Sequence, residues 1–366
     1  MNIKDRILYS VLGLGLGFTL TLQAQPVQFE VVASGLNNPR GLAFGPEGAL
    51  YVAEAGLGGD GNCIIGGEQN EVCFGPSGSV TRIWKGKQER VVTGLPSIAA
   101  EGGARAGGPV DISFQGNGNG LVSIGLGTNP EKRVALGAEA ALLGHVIKLR
   151  PNGKYSDVAD ISGYEVVTNP DGGAIDSNPY SVLAEPGMTI VADAGANALV
   201  GVRANGKIST LAVFPNRMVD APPFLQLPPG TQIPMQAVPN CVAKGPDGAY
   251  YVGELTGFPF TIGAARVYRV SPGSDPEVFA DEFTNIIDID FGPDGSLYVL
   301  EIDANGLATP GSDAALIRVS PDGTRTIVAS AGLIAPTGIV IGTDGAAYVS
   351  NFGIFPGVGQ VVRISL

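Results

Sequence analysis

One unit recurs six times along this 366-residue chain, and that recurrence restricts the fold more than any other feature. Its clearest copy reads Asn38-Pro39-Arg40-Gly41-Leu42-Ala43-Phe44-Gly45-Pro46-Glu47-Gly48-Ala49-Leu50-Tyr51-Val52-Ala53-Glu54. Segments 239–254, 286–301 and 336–351 keep the spacing of Pro39 to Glu54; segment 179–193 is one residue shorter, and segment 109–125 is one longer and closes on Gly125 without a polar group. Within a unit, a short apolar stretch meets Gly-Pro-Asp-Gly or a relative of it, as at 245–248 and 292–295, and then a second apolar stretch such as Leu297-Tyr298-Val299-Leu300. Pro presets the first central position of a turn and Asp-Gly accepts positive φ, so each unit is a hairpin. A third strand follows, as in Arg266-Val267-Tyr268-Arg269-Val270, and turns such as Pro321-Asp322-Gly323 lead to a fourth. Four antiparallel strands per repeat of about 40 to 50 residues is the period of a β-propeller blade.

The ends fit a ring. The chain stops at Leu366, just after the third strand of unit six, while an orphan strand, Phe29-Glu30-Val31-Val32-Ala33, precedes unit one. The expectation is an all-β chain with one domain over residues 25–366, a six-bladed β-propeller whose last blade is closed by the N-terminal strand, leaving no open sheet edge. Composition agrees: 55 Gly and 27 Pro in a chain that is 44% hydrophobic and 15% charged suit many short strands and tight turns, not helices or disorder.

Lys4 and Arg6 precede an uncharged apolar run over 7–22, followed by Gln23 and Ala24. This pattern predicts a secretory signal peptide over 1–24 and a periplasmic or secreted product. The alternative, an uncleaved anchor, is disfavoured because the run falls short of the roughly 20 residues a span needs. No later segment is apolar and long enough to span, so no membrane association is expected after cleavage. The net charge of −12 would repel a phosphate backbone and excludes nucleic acid as a partner. A monomer whose partner is a small-molecule ligand or another exported protein is expected. Cys63 and Cys73 share one Gly-rich loop and are expected to pair as a disulfide outside the cytoplasm, two free thiols being the alternative. Cys241, among apolar neighbours, reads as a buried inert thiol.

In a propeller the first strand of each blade lines the channel, and its start emerges on the same face as the end of the second. The repeat thereby places Glu54, Asp193, Glu254, Glu301 and Asn351 on one rim, with Arg40, Tyr180, Asn240 and Thr337 at the neighbouring strand starts. Four carboxylates converging there would raise one another's pKa unless a cation sat among them. Three readings stay open. Glu54, Asp193, Asn240, Glu254 and Glu301 are the right ligand types for Ca²⁺. Alternatively Glu254 or Asp193 acts as a general acid or base beside Tyr180, with Arg40, Glu54, Asn240, Glu301 and Asn351 binding an organic ligand. In the third reading the repeated acids only cap turns. The single histidine, His145, supports no zinc cluster, and no nucleophile elbow accompanies it. Two insertions, 56–79 and the Pro-rich 215–236, can lie over a face of the ring, either as lids over the channel or as merely tolerated insertions.

The units resemble NHL-type and gluconolactonase-like six-bladed propellers. Along nearly the whole mature chain the sequence is also similar to the ScyD/ScyE family of exported proteins. The stretches that carry this are Ser34-Gly35-Leu36-Asn37-Asn38-Pro39-Arg40-Gly41-Leu42, Ala192-Asp193-Ala194-Gly195-Ala196-Asn197, Pro239-Asn240-Cys241-Val242 and Val252-Gly253-Glu254-Leu255-Thr256-Gly257-Phe258-Pro259-Phe260. That resemblance implies a periplasmic role near assembly of scytonemin, an indole–phenol pigment, although membership is broader than the pathway. The gluconolactonase-like resemblance implies a central divalent metal and lactone hydrolysis with ligands at strand starts. Only Asn240 matches such a position by type, while Arg40 and Thr337 depart from it.

Overall fold

The structure is a computed structural model that describes residues 28–67, 69–116, 119–150, 152–271, 273–309 and 313–366. The predicted signal peptide lies outside the described residues. Six antiparallel sheets form the blades. Blade 1 comprises Pro39–Phe44, Leu50–Glu54, Glu71–Trp84 and Lys87–Ala99 from the channel outward, with Cys63–Ile65 added at its edge. Blade 2 comprises Pro109–Gln115, Asn119–Ile124, His145–Leu149 and Tyr155–Asp160. Blade 3 runs Pro179–Glu185, Met188–Asp193, Ala198–Arg203 and Ile208–Val213, and blade 4 runs Pro239–Lys244, Tyr250–Glu254, Ala265–Val270 and Glu277–Phe283. Blade 5 comprises Ile286–Phe291, Leu297–Glu301, Ala315–Val319 and Arg325–Ala329. Blade 6 takes Gly338–Ile341, Ala347–Asn351 and Gly359–Ile364 from the end of the chain and Phe29–Leu36 from its beginning. Each inner strand contacts the inner strands of both neighbouring blades, blade 6 meeting blade 1, so the ring is closed.

The hairpin turns form as their residues dictate. In blade 4, Gly248 takes φ 82°, Gly245 N–H donates to Ala249 O at 2.9 Å, and Gly248 N–H donates to Gly245 O at 3.0 Å. The turn aspartate also holds the third strand, since Asp247 accepts from Arg269 Nε at 2.7 Å. Asp294 with Arg318 and Asp344 with Arg363 repeat the arrangement in blades 5 and 6. Between blades the apolar faces stack. Leu300, Leu316, Ile339, Val349 and Val362 form one such layer, and Leu36, Leu42, Leu50, Val52 and Val361 bridge blades 6 and 1.

Two readings of the repeat change. In blade 2 Pro109 pairs with Ile124, as Pro39 pairs with Glu54, so the unit keeps the common spacing and Ile124, not Gly125, stands where the other blades carry a polar group. The second unexpected feature is a helix, Ile161–Thr168, between blades 2 and 3. Asp160 caps it by accepting from Gly163 N, and Asn169 ends it in the left-handed region.

Cys63 and Cys73 are disulfide-bonded, closing a ten-residue separation. Because both lie at the edge of blade 1 and not between blades, reduction is expected to free the insertion without melting the ring. Limited proteolysis should cut within 56–79 after reduction, and chain-entropy arguments bound the global effect at about 3 kcal/mol. Loss of cooperative melting on reduction would contradict this.

Candidate functional site

Tyr180 and Asn240, the second residues of their inner strands, and Thr337, just before the inner strand of blade 6, line one cavity in the channel, with the Arg40 guanidinium close enough to Tyr180 for their charges to interact. The cavity between Asp111, Tyr180, Asn240, Asp288 and Thr337 is only about 10 Å³, near the lower limit for one water molecule. Arg40 is buried, and its guanidinium donates to Gly353 O of blade 6 and, at 3.1 Å, to Ala106 O on the approach to blade 2. It is therefore a strut between blade 6 and the approach to blade 2. Burial lowers its pKa and raises that of Tyr180, with the Arg40 charge opposing the latter. Asn240 donates Nδ2 to Ile287 O at 2.9 Å, while its buried Oδ1 has no partner.

The channel also holds aspartates that sequence reasoning passed over. Asp111 Oδ2 accepts from Ser181 Oγ and Val182 N–H of blade 3, each at 2.8 Å, and Oδ1 from Ile112 N–H. Asp288 Oδ2 accepts from Ile339 N–H of blade 6 at 2.8 Å, and Asp290 Oδ2 from Ile341 N–H at 2.7 Å. These side chains stitch one blade's inner strand to the next. Burial pushes Asp111 and Asp290 up to about 6. Asp288 is pushed well above the ordinary carboxylate range, first by burial and then by the charge of Asp111 on the opposite blade. The available signal was an acid inside an otherwise apolar inner strand, as in Ile287-Asp288-Ile289-Asp290.

The rim residues do one recurring job. Glu54 accepts from Asn37 N–H, Asp193 from Asn178 N–H, Glu301 from Thr284 N–H and Asn351 from Ile334 N–H, all at 2.7 Å. Each ties the second strand to the segment leading into its own blade. Glu54 also accepts from Thr81 Oγ1 and pairs with Arg90, Nη2 to Oε2 at 2.7 Å. Asp193 accepts further from Ser177 Oγ, Gly195 N–H and Ala196 N–H, and burial pushes it up to about 6. Burial also raises Glu301. The expected convergence is thus replaced by local capping, because the amide partners lie within the same blade. Glu54, Asp193, Asn240, Glu254 and Glu301 are spread over four blades and engaged separately. Among the described residues no three of these acids bring ligand atoms within 4.8 Å of one another.

Glu254 differs from the other rim acids. It pairs through Oε2 with Arg217 Nη2 from the second insertion, while its buried Oε1 and Arg217 Nε complete no well-formed hydrogen bond, although Tyr268 and the Arg266 amide lie near the carboxylate. Burial pushes Glu254 up to about 7 against the pull of the Arg217 charge. The insertion is a hairpin, Arg217–Asp220 paired with Gln232–Met235, carrying a turn of 3-10 helix at Pro223–Leu225. It lies along the loop that follows Glu254, with Thr256 N–H donating to Ala237 O and Gly257 N–H to Gln236 O. Phe224 then meets Phe258 with ring centroids 6.1 Å apart at 67°, and Phe258 meets Phe260 at 6.4 Å. Phe224 is 62% exposed and Phe258 45%, with Met218, Leu227 and Ile262 exposed on the same two segments.

No family profile matches the chain, and no curated protein does. Solved structures do resemble it in shape. Regucalcin from Agrobacterium tumefaciens, described as a calcium-binding protein, superposes with a TM-score of 0.53 at 11% identity, covering 93% of this chain and 95% of its own. A protein described as a putative gluconolactonase gives 0.51 at 11% identity, over 92% of both chains. Virginiamycin B lyase from Staphylococcus aureus gives 0.48 at 14% identity. The fold is a six-bladed β-propeller. Likeness at this identity extends to the fold alone.

His145 is structural as expected, its Nδ1 2.9 Å from Asp157 and its Nε2 3.3 Å from Asp160, and hydrogen bonds to these carboxylates raise its pKa despite burial. Cys241 is buried, and burial pushes its thiol well up. Among the described residues no helix is long and apolar enough to cross a membrane.

Proposed function

We propose that the chain is an exported binding propeller that takes a small aromatic or indole-type organic molecule on the platform of Phe224 and Phe258. One observation carries this reading: two exposed, edge-packed phenylalanines on segments fixed to each other by backbone hydrogen bonds and anchored by the buried Arg217–Glu254 pair. Exposed aromatic surface on a rigid support offers a planar apolar ligand stacking area at little ordering cost. The channel cavity between Asp111, Tyr180 and Asn240 is only about 10 Å³. The resemblance to the ScyD/ScyE family favours an indole–phenol type of ligand and periplasmic action. Titration with indole and with anilinonaphthalene sulfonate tests the platform. The double variant Phe224→Ser, Phe258→Ser should weaken binding at least about tenfold, corresponding to about 1.4 kcal/mol. Glu254→Gln, which loosens the Arg217 anchor, should weaken it less. Unchanged affinity in the double variant overturns the site. Pigment intermediates identical in cells with and without the gene would remove the pathway and leave the platform standing.

A further inference from the structure

The segment between blades 2 and 3 gathers unsatisfied oxygens in a way the repeat does not require. Glu165, on the last turn of the helix Ile161–Thr168, is 1% exposed, and neither of its carboxylate oxygens completes a well-formed hydrogen bond, although the Asp176 amide lies nearby. Asn169, one turn on, uses Nδ2 to donate to Gly173 O at 3.0 Å and leaves its buried Oδ1 without a partner. Asp176 Oδ1 is buried and unpartnered as well.

Helical spacing puts Ser162 and Glu165 on one face, and Asn169 follows as the left-handed cap of the same helix end. That face meets the loop over 171–178, because Ser162 Oγ donates to Ser177 Oγ at 2.7 Å and Ser177 Oγ donates to Asp193 Oδ2 at 2.6 Å. The charges of Asp193, Asp171 and Asp176 all bear on Glu165. Asp193 is saturated by its own four donors, and Asp171 accepts from Gly173 N–H and Asn197 Nδ2, so these two add negative potential without offering free oxygens. Of the cations nearby, Lys132 donates Nζ to Ile65 O while its charge also bears on Asp176, and Arg133 is bound to Asp160 and Leu143 O. Glu165 also sits at the negative end of its helix, where a carboxylate is unfavourable.

Four buried oxygens without hydrogen-bond partners, beside the carboxylates of Asp171 and Asp193, describe the environment of a hard cation. We propose that Glu165, Asp176 and Asn169 form a Ca²⁺ site that fastens the blade 2–3 connection. The set holds two carboxylates and one carboxamide. Among the described residues, three acid, His or Cys ligand atoms come within 4.8 Å of one another only at Cys63, Glu71 and Cys73, whose sulfurs are joined to each other. A backbone carbonyl or water would complete the coordination of the proposed ion.

Calorimetric titration of the chelator-treated full protein with CaCl₂ at pH 7.5 is the test, with Tb³⁺ competition and melting as parallel readouts. One ion should bind with Kd below about 1 mM, the weak end of protein Ca²⁺ sites. Glu165→Gln and, independently, Asp176→Asn should each weaken it at least tenfold while both variants still melt cooperatively. No binding up to 10-fold above that concentration, or binding that both variants retain, would overturn the proposal. If Glu165→Gln does not fold, the Asp176→Asn result alone decides. The platform reading is unaffected by either result, because its ligands are titrated separately.

Discussion

The protein should melt at a higher temperature at pH 5 than at pH 7.5, and the double variant Asp111→Asn, Asp288→Asn should lose much of that difference. Asp111, Asp290 and Asp193 are pushed up to about 6, and Glu254 and Glu165 to about 7, with burial the first cause in each. A carboxyl raised in the folded state keeps a proton that the unfolded chain has released. Its favourable contribution is therefore complete below the unfolded value near 4 and is lost as pH rises through 6 to 7. Moving one carboxyl from 3.8 to about 6 corresponds to about 3 kcal/mol. His145, also raised, acts in the same direction. Asp160, held below its ordinary value by His145 and Arg133 despite burial, contributes a stability that is lost only below about pH 4, outside this window. The combined effect should exceed about 5 °C in Tm. Calorimetric scans across this range check it. A Tm that rises from pH 5 to 7.5, or an undiminished slope in the double variant, would show that the channel aspartates ionise freely.

The second large effect is expected at the seam of the ring. Phe29–Leu36 pairs with Gly359–Ile364, and Leu36 is fully buried against Leu42, Val52 and Val361. Leu36→Ala should cost about 2–5 kcal/mol. Leu36→Asp, which buries a charge, should abolish cooperative unfolding. A circular permutant that carries residues 28–36 after a short linker beyond Ile364 should melt like the parent, because the pairing and not chain order closes the blade. A permutant that fails to fold, or a Leu36→Asp variant that melts normally, would locate the closure elsewhere.

Much of the architecture was legible because Pro, Asp and Gly carry turn chemistry in their own dihedral preferences, and six hairpins of near-constant internal spacing admit few folds. Blade 6 was readable for the same reason, from an orphan strand at one end and a missing strand at the other. The role of the rim acids was less legible. Periodicity places Glu54 and Asp193 at the end of a strand but does not say which donor each meets, and the donors are backbone amides that the sequence does not distinguish. Asp111 and Asp288 escaped notice because their partners, Val182 N–H and Ile339 N–H, lie 71 and 51 residues away in the next blade. Glu165 lies in a helix outside the repeat, so no comparison between units points to it. The aromatic platform was visible only in part: Phe258-Pro259-Phe260 stood out, but its contact with Phe224 depends on how the insertion hairpin docks.

The seam also has a consequence for the order of events in the cell. The strand over 29–36 emerges from the ribosome more than three hundred residues before its partner over 359–364. Until that partner arrives, blade 6 is incomplete and the ring is open. A ribosome-bound chain can therefore form individual hairpins and inner blades but not the finished ring. That makes the strand over 359–364 the trigger for ring closure.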